Sequence, residues 1–324
     1  MLAFLVRRLL HAVAVVALAA TATFTLLQLA PGDPVSATLD QPTVPESVRE
    51  AWRRRYGLDR PAPEQFARYV GAAMRGDLGW SFTEQRPVRE VLGDALPRTA
   101  LLMSTALALA LAAGLALGAW QAWRPDASLP RTVSGAAVLL SAVPEFALGL
   151  VLLTVFSLKL NMLPSGGIAD AVLESVGTPA ERAVDRLRHL VMPAVALALG
   201  WTSSVARHQR AALRDVVDDD FVRTARAKGA SERRVLFRHA LRAAVAPTIT
   251  LVGLGLPMLV GGAVVVESVF GWPGMGLVAA RAVASRDYAL VTGAAVAGSA
   301  AVALGSLLAA LLVGAVDPRL RRPG

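Results

Sequence analysis

Cysteine is absent from this 324-residue sequence. That absence excludes disulfides, thiolate nucleophiles, iron–sulfur clusters and cysteine-based zinc sites. Lysine is nearly absent: of 33 basic residues, only Lys159 and Lys228 are lysines. A phosphate-binding P-loop needs a Lys preceded by Gly and followed by Ser or Thr, because that side chain and nearby backbone N–H groups hold the phosphates. Lys159 lies between Leu158 and Leu160, and Lys228 between Ala227 and Gly229, so neither fits. If ATP powers this protein, another chain must hydrolyse it. Histidine is scarce as well. His11, His189, His208 and His239 form no H-E-x-x-H motif and no pair at helical spacing, so no metal site and no cofactor are expected in this chain.

What is abundant is apolar sequence, 55% of all residues, with a mean hydropathy of +0.52. It comes in long uncharged runs, the pattern of a chain whose solvent is the bilayer. A helix needs roughly 20 apolar residues to cross a core about 30 Å thick. Six stretches are predicted as spans: Leu9–Ala30, Thr99–Trp123, Thr132–Leu158, His189–Ala206, Ala243–Val266 and Tyr288–Val316. Glu145 is the one formally charged residue inside them. The first run follows Arg7-Arg8 but is too long for a signal-peptide core and lacks an A-x-A site, so it is read as a retained span.

The net charge of +9 fits cytoplasmic loops better than nucleic acid, because the charges sit between the apolar runs with no interleaved aromatics. With a cytoplasmic N-terminus, 17 basic residues fall inside and 16 outside, but ten of the latter lie in the long loop Pro31–Arg98. Long loops are poor determinants of topology. Setting that loop aside predicts both termini cytoplasmic. The loop itself reads as ordered, with helices starting at Pro45-Glu46 and Pro63-Glu64 and ending at Gly57 and Gly76. In the second, Phe66, Tyr69, Val70, Ala73 and Met74 share one helical face. That face suits packing on the membrane domain or an external partner. Further on, Gly271-Trp272-Pro273-Gly274-Met275-Gly276 reads as a tight turn at the outer face, with Trp272 as interfacial anchor. Glu267 precedes it, near the same interface.

The inside loop Arg207–Arg242 is the most informative. Asp218-Asp219-Asp220 precedes Phe221-Val222-Arg223-Thr224-Ala225-Arg226-Ala227-Lys228-Gly229. Three carboxylates suit the positive end of a helix dipole. Asp219 has i,i+4 spacing to pair with Arg223. Lys228 suits the helix C-terminal end and Gly229 its cap. Ser231-Glu232 can start a second helix running towards Pro247. Ala225, Ala227, Gly229 and Ala230 keep the turn small-sided, so a partner can approach its backbone, with basic side chains to meet carboxylates. Arg234, Arg238 and Arg242 form a stripe suited to anionic headgroups or solvent.

At this point a resemblance is visible along the whole chain. Its pieces are Ala30-Pro31-Gly32-Asp33-Pro34, Tyr56-Gly57-Leu58-Asp59, Gly76-Asp77-Leu78-Gly79-Trp80-Ser81, Leu163-Pro164-Ser165-Gly166-Gly167 and His189-Leu190-Val191-Met192-Pro193. They continue with Ala225-Arg226-Ala227-Lys228-Gly229, Arg238-His239-Ala240-Leu241-Arg242, Glu267-Ser268-Val269-Phe270-Gly271-Trp272-Pro273-Gly274, Arg286-Asp287-Tyr288 and Asp317-Pro318-Arg319. The sequence resembles the permease subunits of binding-protein-dependent ABC importers, in the dipeptide/oligopeptide/nickel branch. Arg223 and Thr224 stand where the family signature has Glu and its first Ala; Ala225 is the second Ala and Gly229 the signature Gly.

The resemblance implies an all-α membrane protein with six transmembrane helices in the type I ABC importer permease architecture. It implies a first helix and long extracytoplasmic loop over 1–98, a permease domain over 99–317 and a short cytoplasmic tail over 318–324. Within the domain, the loop 207–242 would carry a coupling helix, Phe221–Lys228, seated in a groove on a separate ATPase. Asp220, Arg223, Ala225, Arg226, Lys228 and Gly229 are the expected coupling residues. Pro144, Glu145 and Phe146 are expected on the translocation path. The implied partners are a second related permease, two ABC ATPase subunits, an extracytoplasmic solute-binding protein and the lipid bilayer, with no nucleic acid. The implied location is a bacterial-type inner membrane. The rival reading is a self-contained secondary carrier, which would transport in vesicles holding this chain alone. Because the chain has no native cysteine, single cysteines report topology cleanly: residues 207–242 are expected to react from the cytoplasmic side, and labelling only from outside would overturn the orientation.

Overall fold

The computed structural model describes residues 2–29, 47, 50, 54, 59–124, 128–245, 248 and 263–316. Nearly all of this is helix. Among the described residues, four helices are long and apolar enough to cross a membrane: Val6–Leu29, Val88–Trp123, Pro179–Val217 and Tyr288–Leu307. A bent pair, Gly135–Ser141 with Glu145–Lys159, makes a fifth if taken as one span. Most of the predicted span Ala243–Val266 lies outside the described residues, as do the run from Pro45 to Gly57, the Ala30–Pro34 motif and the 318–324 tail.

The predicted span Thr132–Leu158 is not straight. Helix α4, Ser128–Ser141 in a chain-order numbering where α1 is Leu2–Leu29, α2 Ala62–Ala73 and α3 Val88–Trp123, stops short of Pro144. Helix α5, Glu145–Leu152, then starts at an angle of 105°. The cause is Pro144, which lacks an N–H and disfavours helical backbone in the residue before it. Ala142 and Val143 close α4 with tight bonds to Leu139 and Leu140, and Pro144 is extended at φ −57°, ψ 141°. Beyond α5 the chain widens into a π-helical segment, Leu153–Lys159.

The chain divides into two compact units, one comprising Ala100–Trp272 and Gly305–Gly324, the other Leu2–Thr99 and Pro273–Leu304. The first is organised on α7, Pro179–Val217, which follows the short helix α6, Ala171–Val176. Thr178 and Glu181 form a capping box at the start of α7, satisfying two otherwise orphan donors. The helix runs through Pro193 unbroken, with Leu190, Met192, Ala194, Ala196 and Leu197 all buried around it. Its most apolar window is 67% buried, against 6% for α1. Thus α7 is the most buried of the four long apolar helices and α1 the least. Small residues let α3 approach α7 closely: a Cβ at Gly114 would sit 2.6 Å from Val205 Cβ, and one at Gly118 2.6 Å from the Ala206 carbonyl oxygen.

Trp272 corrects the sequence reading. It is 1% exposed, packed with Leu102, Leu197, Val266 and Phe270, and is a core residue rather than an interfacial anchor. The turn itself is as predicted: Gly271 has φ +58° and Trp272 N–H donates to the Glu267 carbonyl at 2.8 Å. Glu267 is fully buried. The segment between Lys159 and α7 is strapped to the same unit. Gly167 N–H donates to the Phe270 carbonyl, Arg188 donates to the Met162 carbonyl, and Arg186 pairs with Glu174. Asp170 caps α6, and the Leu173 and Val172 N–H groups hold its carboxyl below the usual carboxylate range.

In the second unit, α2 packs on α1 through Phe24 and Phe66, whose ring centroids lie 5.2 Å apart, and through a Gln28–Gln65 hydrogen bond. Of the face predicted for α2, Met74 does not belong: it follows the helix end and is 84% exposed. A two-stranded hairpin, β1 Trp80–Ser81 with β2 Arg86–Pro87, leads into α3. Buried Asp287 ties this hairpin down, accepting from the Ser81 hydroxyl at 2.6 Å and the Thr83 N–H at 3.0 Å. Its other oxygen caps helix α11, Tyr288–Val316 (α8 Asp220–Ala227, α9 Glu232–Arg234 and α10 Met275–Ala284 precede it), accepting from Leu290 N–H at 3.1 Å.

Three substitutions test these buried polar contacts. Asp287→Ala leaves three donors without their acceptor and is expected to cost about 2–4 kcal/mol, read as a lowered unfolding midpoint of the purified protein. Thr248 donates to Oε1 of the fully buried Gln209 at 2.9 Å, while the Gln209 amide nitrogen has no acceptor among the described residues. Thr248→Val is therefore expected to destabilise by about 1 kcal/mol, and the double variant Thr248→Val with Gln209→Met, which removes donors and acceptor together, to lie closer to the wild type. The reverse order of those two midpoints would contradict the assignment.

Candidate functional site

The loop singled out by the sequence folds as a short helix set on a buried seat. Helix α8 begins after Asp219, whose extended backbone (φ −65°, ψ 150°) makes it the N-cap. Its apolar side is Val222 and Ala225, 0% and 7% exposed. They pack with Leu213 of α7, with Ala119 of α3, and with Val235, Leu236, Ala240 and Ala244 on the chain that returns. The opposite side is polar: Asp220, Arg223, Thr224 and Lys228 are exposed, and so is the ring of Phe221. An eight-residue helix is too short to persist alone, so this seat is what holds it.

The turn after α8 is a complete Schellman motif. Lys228 is the C-cap, Gly229 N–H donates to the Arg226 carbonyl at 2.9 Å, and Ala230 N–H to the Ala225 carbonyl at 3.2 Å. Gly229 takes φ +77°, a region costly for any residue with a Cβ. Nothing lies within 4 Å of where a Cβ would stand, so glycine is required here by backbone conformation and not by crowding. Arg226 braces the turn by pairing with Glu232 at 3.1 Å. The predicted Asp219–Arg223 pair is not formed among the described residues. As the N-cap, Asp219 lies off the helical path that i,i+4 pairing needs.

The return is not a plain helix. Ser231 precedes the single turn α9, and Val235–Ala240 is π-helical. Ser231, Arg233, Arg234 and Phe237 line a shallow open depression beside the turn. Of the six residues expected to couple, Asp220, Arg223, Lys228 and Gly229 share the exposed side and end of α8, Arg226 is half-buried in its ion pair, and Ala225 faces inward. Ala225 is thus part of the seat and not of the presented surface.

The second predicted group sits at the break between α4 and α5. Pro144 is the N-cap of α5, Glu145 is its first residue and half-buried, and Phe146 is 45% exposed. Glu145 approaches Gly200 of α7: a Cβ there would be 3.6 Å from Glu145 Oε1. Among the described residues, no three His, Asp or Glu side chains are grouped so as to hold a metal.

Sequence reasoning missed Gln209 and the Asp185–His189 pair. Both nitrogen Nδ1 of His189 and the Asp170 N–H approach Asp185, at its carbonyl (2.9 Å) and carboxylate (2.7 Å) respectively. The available signal was register: Gln209 is four residues from both Val205 and Leu213, on the buried face of α7.

The comparisons agree with one another. The family profile described as binding-protein-dependent transport system inner membrane component matches residues 114–322, and its N-terminal companion matches residues 1–103. The oligopeptide transport system permease protein AppB of Bacillus subtilis is 36% identical over 99% of each chain. OppB of Mycobacterium tuberculosis is also 36% identical, over 98% of each chain. The glutathione transport system permease protein GsiC of Escherichia coli is 33% identical over 99% of each. Among solved structures, the inward-facing MetNI methionine ABC transporter shares the fold, with a TM-score of 0.53 at 18% identity, over 70% of this chain and 96% of that one. The chain belongs to the binding-protein-dependent transport system inner membrane components, as an ABC importer permease of the peptide branch.

Proposed function

We propose that this chain forms one half of the translocation path of an ATP-driven importer for di- or oligopeptides, or for a related small solute such as glutathione or a nickel complex. Relatives named for oligopeptide and glutathione transport support the solute class. The chain carries no P-loop lysine, so the work comes from outside it. In this reading it adopts six spans with both termini in the cytoplasm. It pairs with a second related permease, rests on two separate ABC ATPase subunits, and receives cargo from an extracytoplasmic solute-binding protein.

The observation that carries the reading is α8. A helix with a buried seat, a charged exposed side and a capped, open end is built to be pushed. Asp220, Arg223 and Lys228 supply charge that a partner groove can match. Gly229 lets the backbone leave the groove at once. Val222 and Ala225 pass a displacement to Leu213, and so to the central helix α7. Closure of an ATPase pair would then tilt α7 and exchange outward for inward access, a two-state rigid-body change biased by nucleotide. Glu145, with Pro144 and Phe146, lies on the path that opens.

The test is substitution at the turn in the reconstituted importer. Gly229→Trp is expected to lower ATP-driven uptake by roughly tenfold or more, while the complex still inserts and hydrolyses ATP. Gly229→Ala, which adds the backbone cost without bulk, is expected to fall between it and the wild type. Wild-type uptake by Gly229→Trp would refute the coupling role. Uphill transport by this chain in the absence of any ATPase would instead support the self-contained carrier.

A further inference from the structure

Glu145 is a carboxylate in a predicted membrane span with no cation beside it among the described residues. Among the described residues it makes no hydrogen bond and no ion pair. The helix packed against it is α7, and the basic residue of α7 nearest to Gly200 on the inner side is Arg207. Seven residues of helix put that side chain about 10 Å further along the axis, and its guanidinium is tied to the Ser203 hydroxyl at 3.1 Å. Arg188 lies twelve residues to the other side and is held by the Met162 carbonyl. On its own segment the next cation is Lys159, at the far end of the π-helical stretch.

An unpaired carboxylate does not settle against lipid, because its charge costs several kcal/mol there. Its exposed half must therefore meet water or a cation that comes from outside the unit. Two further features make the place a receptor. It lies at a break in the span, where the backbone turns through 105°; broken helices are where transported groups are held in membrane carriers. Opposite it stands Gly200, which contributes no side chain at its point of closest approach to the carboxylate. Phe146 beside it is exposed, so an aromatic face is at hand for a cation.

We propose that Glu145, facing Gly200, is the anion of a solute-binding subsite that takes a protonated primary amine, the N-terminal ammonium of a peptide-like solute. This rests on the importer reading above for the existence of a path. The subsite gives the permease a chemical preference of its own, beyond whatever a binding protein selects.

The test uses the cysteine-free background of this chain in the assembled importer in nanodiscs. Gly200→Cys places a reporter where a Cβ has ordinary contact distance to Glu145. Its modification is followed by mass spectrometry of this chain, using a cationic (aminoethyl) and an anionic (sulfonatoethyl) methanethiosulfonate. Measured against the ratio for a free thiol, the cationic reagent is expected to be favoured roughly tenfold or more, and Glu145→Gln is expected to bring the ratio back to the free-thiol value, with Glu145→Asp restoring most of the added preference. Trialanine is expected to slow the reaction, and N-acetyl-trialanine is not. Phe146→Cys repeats the measurement if Gly200→Cys fails to assemble. Four results would overturn the proposal: no reaction with either reagent, which places Glu145 against lipid or a partner helix; a cation preference that survives Glu145→Gln; equal protection by both peptides; or protection by neither. ATP-driven uptake by the unmodified complex is measured in parallel, so failure of the importer reading is seen separately from failure of the subsite.

Discussion

The contact on which the transport reading depends is the burial of Val222 and Ala225 against Leu213, Val235 and Ala240. A free eight-residue helix melts in water, and a melted segment transmits no displacement. The seat converts it into a rigid handle. Burial of these side chains contributes on the order of 1–2 kcal/mol each, enough to hold the handle and little enough to let it be part of a moving domain. The Schellman closure at Gly229 and the Arg226–Glu232 brace then fix where the handle ends. Asp220, Arg223 and Lys228 form no ion pair among the described residues, so their charge is left available.

The membrane part solves a different problem. Lipid supplies no hydrophobic force between helices, so they must meet by close packing and by the few polar groups they carry. Gly114 and Gly118 let α3 lie against α7 at distances no other residue permits. Polar groups are gathered where they bind something: Gln209 with Thr248, His189 and Asp170 on Asp185, and Asp287 on the hairpin and its own helix. Glu145 departs from this rule: among the described residues it makes no hydrogen bond and no ion pair.

Much of this was legible in the sequence, and the reasons are physical. Long apolar runs, the aspartates before Phe221 and the glycine after Lys228 each act locally, so their outcomes could be read locally. The helix Asp220–Ala227 differs from the expected Phe221–Lys228 by a residue at each end. What was not legible depended on distant partners. Trp272 looked like an interfacial residue because its flanking glycines and proline say turn, while its burial is decided by Leu102 and Leu197, far away in the chain. Ala225 looked like open surface, yet it faces the seat, because which side of a short helix is covered is set by what returns over it. The Asp219–Arg223 pair failed for a local reason: the N-cap begins one residue too late for that spacing.

The widened turn Val235–Ala240 carries a consequence for how such chains change over time. A π-helical segment is, in effect, an α-helix holding one surplus residue. Loss of a single residue within it would relax the segment to ordinary helix while leaving what lies on either side nearly in register, because the wide turn spends its surplus residue within itself. The face made by Val235, Leu236 and Ala240 would keep its seat beneath α8. A one-residue deletion among these six positions would therefore act as a milder edit than the same deletion inside α7, where everything beyond it would rotate by about 100°.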